Sequence, residues 1–476
     1  MKVLLVFPPV TRPKDFAADK VRITPFVPLG LAYLAAVLEC NGIEVKILDA
    51  LIEGDLNGKE YNNEIRYGLS DDEITKAIKD YNPDIVGTSV LFSAMERDGI
   101  NVLKIVKLCN NKIKTIVGGP WAGINYKKLK QSQWIDEVII GEGEKAFLEY
   151  IKGEPITPDY IQDLDTIPFP ARHLLPMKKY FDNAPGHNGY KQKPFTAMLS
   201  SRGCPAKCTF CAIASHWGNK PRYRSAKNVL AEIDQLVQTY GVKEIHFEDD
   251  NLTANRDRAL KIFDGLIKRN YGLTWVVPSG MAIYSLDDEL LEKMAESGCY
   301  SVSLAIENGN QDIVTKIMHK PIRLEKIPPM VNKIRSLGMD VRGFFILGYP
   351  GETKTDIENT IKFAGDLQLD WSHFFIFAPL PGTKIYQICI DKGYLNPADF
   401  DPLRSFYQPI LKTPEFDQEY LIEAKEQANL QVNFENNYNL KHNPAKAIRL
   451  FKNVLDIYPH LEFAKEYLKQ TMINLN

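Results

Sequence analysis

Phe195-Thr-Ala-Met-Leu-Ser200 runs directly into Ser201-Arg-Gly-Cys-Pro-Ala-Lys-Cys-Thr-Phe-Cys211. A short β-rich run reads as a strand, and the Gly- and Pro-bearing stretch behind it reads as a loop. The loop carries Cys204, Cys208 and Cys211. Spacings of three residues and then two let thiolates converge on one small inorganic centre, and three thiolates around a cube of four irons leave the fourth iron without a protein ligand. The competing reading is zinc. A structural zinc site normally takes four ligands, with cysteines paired as Cys-x-x-Cys, and the nearest fourth candidate, His216, follows Cys211 closely.

The arrangement Cys-x-x-x-Cys-x-aromatic-Cys, with Phe210 before the last cysteine, resembles the radical S-adenosylmethionine (SAM) superfamily. The resemblance implies a 4Fe-4S cluster on Cys204, Cys208 and Cys211, SAM on the fourth iron, and Phe210 beside SAM. It also implies that a βα barrel opens at the strand before the loop, so the downstream pattern is a test. Strand-like runs recur at 243–247, 273–277, 300–306, 341–347 and 373–377, with helical patterns at 226–240, 256–269, 287–297, 325–337 and 354–367. With the first strand these make six βα units, too few for a full eight-fold barrel and enough for the partial barrel of this superfamily.

In such barrels the chemistry belongs at the carboxyl ends of the strands. Glu248-Asp249-Asp250-Asn251 follows the second strand, where the resemblance implies acceptors for the amino group of SAM; the alternative is an acidic turn that caps the next helix. Ser303 and Glu307 are expected to close the fourth strand in Ser301-Val-Ser-Leu-Ala-Ile-Glu-Asn-Gly309, similar to the family's Gly-Ile-Glu-Ser stretch without its Ser. Arg342 opens the fifth in Arg342-Gly-Phe-Phe-Ile-Leu-Gly-Tyr-Pro-Gly-Glu-Thr353, close to the family's Gly-x-Pro-Gly-Glu-Thr ending. Gly348 there would let a flat adenine lie against the backbone. Arg342 would pair the methionine carboxylate of SAM or, equally, a surface acid.

The first third alternates β-rich runs at 3–7, 45–48, 85–90, 115–117 and 137–140 with helical stretches at 29–39, 71–79, 100–109 and 144–151. That pattern argues for a five-stranded doubly wound parallel sheet. Its informative residues all fall after strands: Pro8, Asp49, Ser89, Gly118, Gly119, and Gly141-Glu142-Gly143. In open α/β sheets ligands bind beyond those ends. The dinucleotide pattern Gly-x-Gly-x-x-Gly is absent after the first strand. Pro28-Leu-Gly-Leu-Ala-Tyr-Leu-Ala-Ala36, Val86-Gly-Thr-Ser89, Val117-Gly-Gly-Pro120 and Gly141-Glu-Gly-Glu144 together resemble the cobalamin-binding domain fused to radical SAM enzymes, over roughly residues 1–150. Where mutase-type cobalamin domains carry Asp-x-His-x-x-Gly, this chain has Asp49-Ala-Leu-Ile-Glu-Gly54, with leucine for the histidine. The resemblance then implies a corrin without a protein ligand on its lower face, met by Leu91 or Phe92. A flavodoxin-like domain that has lost its cofactor is the alternative.

Residues 152–194 are dense in proline (Pro155, Pro158, Pro168, Pro170, Pro176, Pro185, Pro194), as in a linker that wraps rather than folds alone. After the aromatic segment 400–407 the tail turns helical, at 418–434, 445–457 and 461–473. Its stretch Asn443-Pro-Ala-Lys to Tyr458-Pro459 resembles one tetratricopeptide helix, and a single unit is expected to cap the barrel mouth rather than form a docking array. The expected architecture is therefore α/β: a cobalamin-binding-like domain of Rossmann or flavodoxin type at 1–151, a linker at 152–194, a partial (β/α)6 radical SAM barrel at 195–395 and a helical region at 396–476.

Composition limits the function. The 476 residues are 45% hydrophobic and 25% charged, with 58 basic and 60 acidic side chains and a net charge of −2. No basic field argues for nucleic acid. No apolar run reaches the length of a membrane span, and a cytoplasmic location is expected. Cys40, Cys109, Cys299 and Cys389 are scattered singly and read as structural thiols, with no ligand group for a second cluster. The resemblance implies an enzyme that cleaves SAM reductively and transfers a methyl group from methylcobalamin to an unactivated carbon or phosphorus of a small molecule. An electron donor such as a flavodoxin or ferredoxin is implied too. The alternatives are a cobalamin-dependent radical cyclase or rearrangement enzyme with the same cofactors, and a non-catalytic iron–sulfur protein that docks through its tail.

Overall fold

The computed structural model describes residues 1–14, 23–183, 189–218, 220–401 and 408–475. Pro185, and residues 402–407 of the aromatic segment, lie outside them. The chain divides into two compact units, one within Met1–Gly186 and the other formed by His187–Asp401 and Tyr407–Asn476. Most of the proline-rich segment thus belongs to the first unit. Among the described residues no helix is long and apolar enough to cross a membrane.

In the first unit, β1 (Lys2–Phe7), β2 (Glu44–Asp49), β3 (Ile85–Ser89), β4 (Lys114–Gly118) and β5 (Glu137–Val138) form a parallel sheet in the order β2-β1-β3-β4-β5. β1 is buried along nearly its whole length, as a strand covered on both faces must be. Helices Leu29–Cys40, Asp71–Tyr81 and Glu96–Cys109 link the first four strands, and Gly143–Lys152 follows the last. The second begins at a capping box of Ser70 and Glu73 and stops at left-handed Asn82. The order of the strands reverses between β1 and β3, which makes their carboxyl ends the switch point where such sheets bind ligands.

A second, antiparallel sheet of Val10–Pro13, Asp55–Tyr61 and Glu64–Gly68 was not expected from the sequence. Its strands are largely half-buried and rich in polar and charged residues, so no apolar alternation announces them. Only Asn62-Asn63, at φ 48° and 64°, carries a hairpin signal. Arg66 ties the sheet down: its guanidinium lies 3.7 Å from Asp98 and pairs with Asp71, while Asp98 accepts from Thr11 N and Oγ1 at 2.7 and 2.6 Å.

In the second unit, β6 (Phe195–Met198), β7 (Glu244–Phe247), β8 (Thr274–Val276), β9 (Cys299–Glu307), β10 (Asp340–Leu347) and β11 (Trp371–Ile376) pair in unbroken sequential order, all parallel. That is the strand order of a partial barrel. Side-chain caps start its helices: Ser225 at Ala226–Tyr240, Asn255 at Arg256–Arg269, Asp287 at Asp288–Glu296 and a Thr353/Asp356 box at Lys354–Asp366. Trp275 of β8 is fully buried between Phe247 and the Phe263 ring of helix Arg256–Arg269, so odd-numbered residues of β7 and β8 face the helices.

The tail corrects the sequence expectation. Gln418–Ala428 is α-helical, but Asn429–Glu435 widens to a π-helix that lets Asn433 bond both Ser372 N and Ser372 O on edge strand β11. Lys446, in helix Pro444–Ile457, then bridges Asp340 and Asp370 at 2.6 Å each, with Asn439 also donating to Asp370 at 2.9 Å. Those aspartates stand at the amino ends of β10 and β11. This helix therefore braces the barrel floor and does not cap its mouth.

Candidate functional site

The cysteine loop follows β6 after Leu199 and Ser200, and its path is fixed at both ends. At its head, Gly203 N donates to Asp250 at 2.8 Å. At its tail, Thr209 N donates to Met318 O and Thr209 Oγ1 to Ile317 O, both at 2.9 Å, and the same hydroxyl meets Tyr349 OH at 2.6 Å. Cys204, Cys208 and Cys211 are unpaired thiols at intermediate exposure; Cys204 bears electrostatically on Cys208, and both bear on Cys211. Burial pushes the Cys211 thiol up to about 12, and Cys208 and Cys204 add to the rise. Cys204 Sγ lies 3.9 Å from Tyr284 OH, which accepts from Asn251 Nδ2 at 2.9 Å.

Among the described residues no three His, Cys, Asp or Glu side chains gather closely enough to hold one metal ion. A four-iron cube takes each thiolate on a separate iron and so spaces its ligands more widely than a single ion does. Three neighbouring, unpaired, part-buried thiols on a braced loop fit that group.

The acidic run after β7 divides its labour. Asp249 is fully buried and accepts from Ser200 N at 2.9 Å, Ser200 Oγ at 2.7 Å and Ser201 Oγ, so it is committed to the β6 exit and corrects the expectation of a SAM contact. Asp250 holds Gly203. Glu248 remains at the strand end, its carboxyl raised to about 7 by burial and by neighbouring Asp249. Arg258 and Arg224 reinforce the same exit, donating to Ser200 O at 2.6 Å and Leu199 O at 2.7 Å.

Glu307 ends β9 at a register shift, with φ 70°. Its carboxylate accepts from Lys320 Nζ at 2.6 Å, and that ammonium sits 5.9 Å from the Phe210 ring centroid and bears electrostatically on Cys208 and Cys211. Burial works against the Lys320 charge, but Glu307 and the two cysteines outweigh it and raise its pKa. Phe210 itself packs edge-on against Tyr349, ring centroids 6.2 Å apart. Asn308, where the family carries Ser, donates to buried Glu352, and Glu352 also accepts from Tyr349 N. This latch ties the ends of β9 and β10 together.

Three expected residues are placed otherwise. Ser303 lies in mid-strand, buried, with its carbonyl accepting from Met281 N at 2.7 Å. Arg342 is buried near the start of β10, and its electrostatic neighbours Asp340, Tyr300 and Asp370 lie toward the strands' amino ends. Gly348 has φ 80°, yet the space its Cβ would fill is taken by Leu421 of the tail helix, which explains the glycine without a ligand. No sequence signal pointed to Lys320, Thr209 or Tyr284, because each acts through a contact distant along the chain.

In the first unit, the carboxyl edge of the sheet presents Pro8, Ser89, Leu91, Phe92, Gly118, Gly119, Gly141 and Gly143 on successive strand ends. Phe92 is 45% exposed and stands edge-on to Phe26, itself edge-on to Phe7. Gly119, at φ 98°, has no room for a side chain: a Cβ would lie 2.7 Å from Val90 O. Exposed rings beside bare backbone fit a broad, flat, largely apolar group such as a corrin. Two expected contacts turn away. Asp49 is buried and accepts from Leu51 N and Ile52 N at 3.0 Å and from Tyr180 OH, and burial raises its carboxyl to about 6. Glu142 is buried and accepts from Ile161 N.

Comparison with known proteins agrees with both halves of this picture. The Radical SAM superfamily matches residues 198–364 and the B12 binding domain family matches residues 22–151. Cytidylyl-2-hydroxyethylphosphonate methyltransferase of Streptomyces wedmorensis is 34% identical over 93% of this chain and 91% of its own. An uncharacterized methyltransferase of Pyrococcus horikoshii is 32% identical over 88% and 90%. The fold matches that of TsrM from Kitasatospora setae, a radical SAM methyltransferase solved with cobalamin and a [4Fe-4S] cluster, at a TM-score of 0.69 and 16% identity over 99% of each chain. Two family domains in this order and relatives this similar over nearly their full length place the chain among the cobalamin-dependent radical SAM methyltransferases.

Proposed function

We propose that this enzyme methylates an unactivated carbon, or a phosphorus centre, of a small molecule, with Cys204, Cys208 and Cys211 as the cluster ligands and the first unit's strand-end edge as the corrin site. The observation that carries the reading is the pre-shaped cysteine loop, anchored by Asp250 and Thr209 at the carboxyl ends of a six-stranded partial barrel. A cluster there would deliver one electron to cleave SAM, and cobalamin would supply the methyl group. The chain's own residues position and shield. Asp249 and Arg258 hold the β6 exit, Phe210 packs against Tyr349 beside the Lys320 ammonium, and Glu248 offers a carboxylate to the amine of SAM. Leu91, Phe92 and Gly119 would receive the face of the corrin, with Pro8, Ser89, Gly118, Gly141 and Gly143 along its rim.

The similarity to the Streptomyces enzyme makes a nucleotidyl phosphonate the first substrate to try. Small redox proteins of the flavodoxin or ferredoxin class are the proposed electron source, and a reducing cytoplasm suits a chain whose described cysteines are all unpaired. The test is anaerobic turnover of reconstituted protein with SAM, methylcobalamin, reductant and candidate substrate. Formation of both 5′-deoxyadenosine and S-adenosylhomocysteine is expected. Deoxyadenosine without the homocysteine product would exclude methyl transfer.

A further inference from the structure

Lys320 and Glu307 form an ion pair that is almost fully withdrawn from water, at side-chain exposures of 7% and 10%. A buried pair is weak support for a fold, because desolvation of both charges offsets most of their attraction. This one is also held by unfavourable backbone. Glu307 at φ 70° and His319, just before Lys320, at φ 54° are both non-glycine residues in the left-handed region. Such conformations persist where the surroundings over-determine them, and they gather at functional sites. The surroundings here are specific. Lys320 N donates to Val314 O at 2.9 Å, and Thr209 fastens the cysteine loop to Ile317 and Met318, immediately upstream. The ammonium is thereby set beside the Phe210 ring and near enough to Cys208 and Cys211 to interact electrostatically with both sulfurs.

We propose that Lys320, held by Glu307, is a positioning residue for the iron–sulfur centre: a fixed buried cation that favours the reduced cluster, with the carboxylate limiting that effect. The inference rests on the assignment of the three cysteines as cluster ligands. Reduction adds one negative charge to the cluster, and in a site of low dielectric an adjacent ammonium stabilises that charge while an adjacent carboxylate opposes it. Removing one partner should then move the reduction potential one way, and removing the other should move it the opposite way. A pair that only held the loop in shape would give no such opposition of sign.

The experiment is a redox titration of the full-length protein, reconstituted with iron and sulfide in the absence of SAM and followed by the electron paramagnetic resonance signal of the reduced cluster. Lys320→Met is expected to lower the reduced fraction at a fixed potential about tenfold, a shift of ~59 mV for a one-electron couple. Glu307→Gln is expected to raise it, Lys320→Arg to stay near wild type, and the double variant K320M/E307Q to return toward wild type. If the two single variants move together, or neither moves while iron content is full, the proposal is overturned. Should Lys320→Met fail to hold iron, the directions seen with Glu307→Gln and Lys320→Arg decide. A wild-type protein that forms no four-iron signal would instead defeat the cysteine assignment itself.

Discussion

Alanine at Cys204, Cys208 or Cys211 should cut deoxyadenosine formation to below about one-hundredth of the wild-type rate and lower bound iron, since a cube with two protein ligands lacks the geometry to be held. Anaerobic iron and sulfide analysis beside product chromatography checks both parts. Asp249 makes a subtler demand. Its three acceptor bonds organise the exit of β6, and Asp249→Ala leaves Ser200 N and two hydroxyls seeking partners. The expected cost is about 1–3 kcal/mol in denaturant unfolding of the metal-free protein, with Asp249→Asn intermediate. Residue identity alone did not separate Asp249 from Glu248. Both are acids after the same strand, and only their bonding partners, 48 or 49 positions away for Asp249, tell the brace from the open carboxyl.

At the scale of elements, every strand of both parallel sheets was legible, because a buried strand between two helices must be a short β-rich run and little else. The helix starts expected at 226, 256 and 354 were met, each where a side-chain cap, Ser225, Asn255 or Thr353, stands, whereas the helix expected from 100 begins at Glu96 with no such cap. The small antiparallel sheet was hidden because its strands bury little and its anchor, Arg66, works through acids on two separate helices. The position of the last helices was equally hidden, since amphipathic spacing says that a face is buried and not against what. Lys446 decides that point. Lys446→Met takes the shared cation from Asp340 and Asp370, leaving Asp340 only Arg449 at 3.2 Å and Asp370 no ammonium among the described residues, and should cost about 3 kcal/mol. Because both aspartates lie at strand amino ends, the rate of deoxyadenosine formation per folded molecule should stay at the wild-type level. A fall in that rate at full iron content would mean that the floor contact of Lys446 is felt at the carboxyl ends of the strands.

For the whole molecule, buried carboxyls with raised pKa values, Asp49 and Glu352 as well as Glu248 and Asp250, set a dependence of stability on pH. Asp49, raised from 3.8 to about 6, and Glu352, raised from 4.5 to about 7, both rise because burial disfavours their charge. The folded protein keeps these protons where the unfolded chain has released them. The stabilisation is fully present below 3.8 and 4.5 and is lost as pH rises through about 6 for Asp49 and about 7 for Glu352. Metal-free protein should therefore melt higher near about pH 5 than near about pH 8, by several degrees if each group contributes about 1–3 kcal/mol. Asp49→Asn and Glu352→Gln should each flatten that difference, as calorimetry would show.

The double fastening of the cysteine loop bears on how such an enzyme survives air. Many small metal sites are folded only by their metal, so that chelation melts them. Here Asp250 and Thr209 grip the loop with bonds that need no iron. Stripping the iron should leave circular dichroism and the melting curve nearly unchanged, and resupply of iron and sulfide should restore the centre without refolding. Oxygen damage in this enzyme would then be an injury that the cell repairs in place, rather than one that sends the chain to degradation.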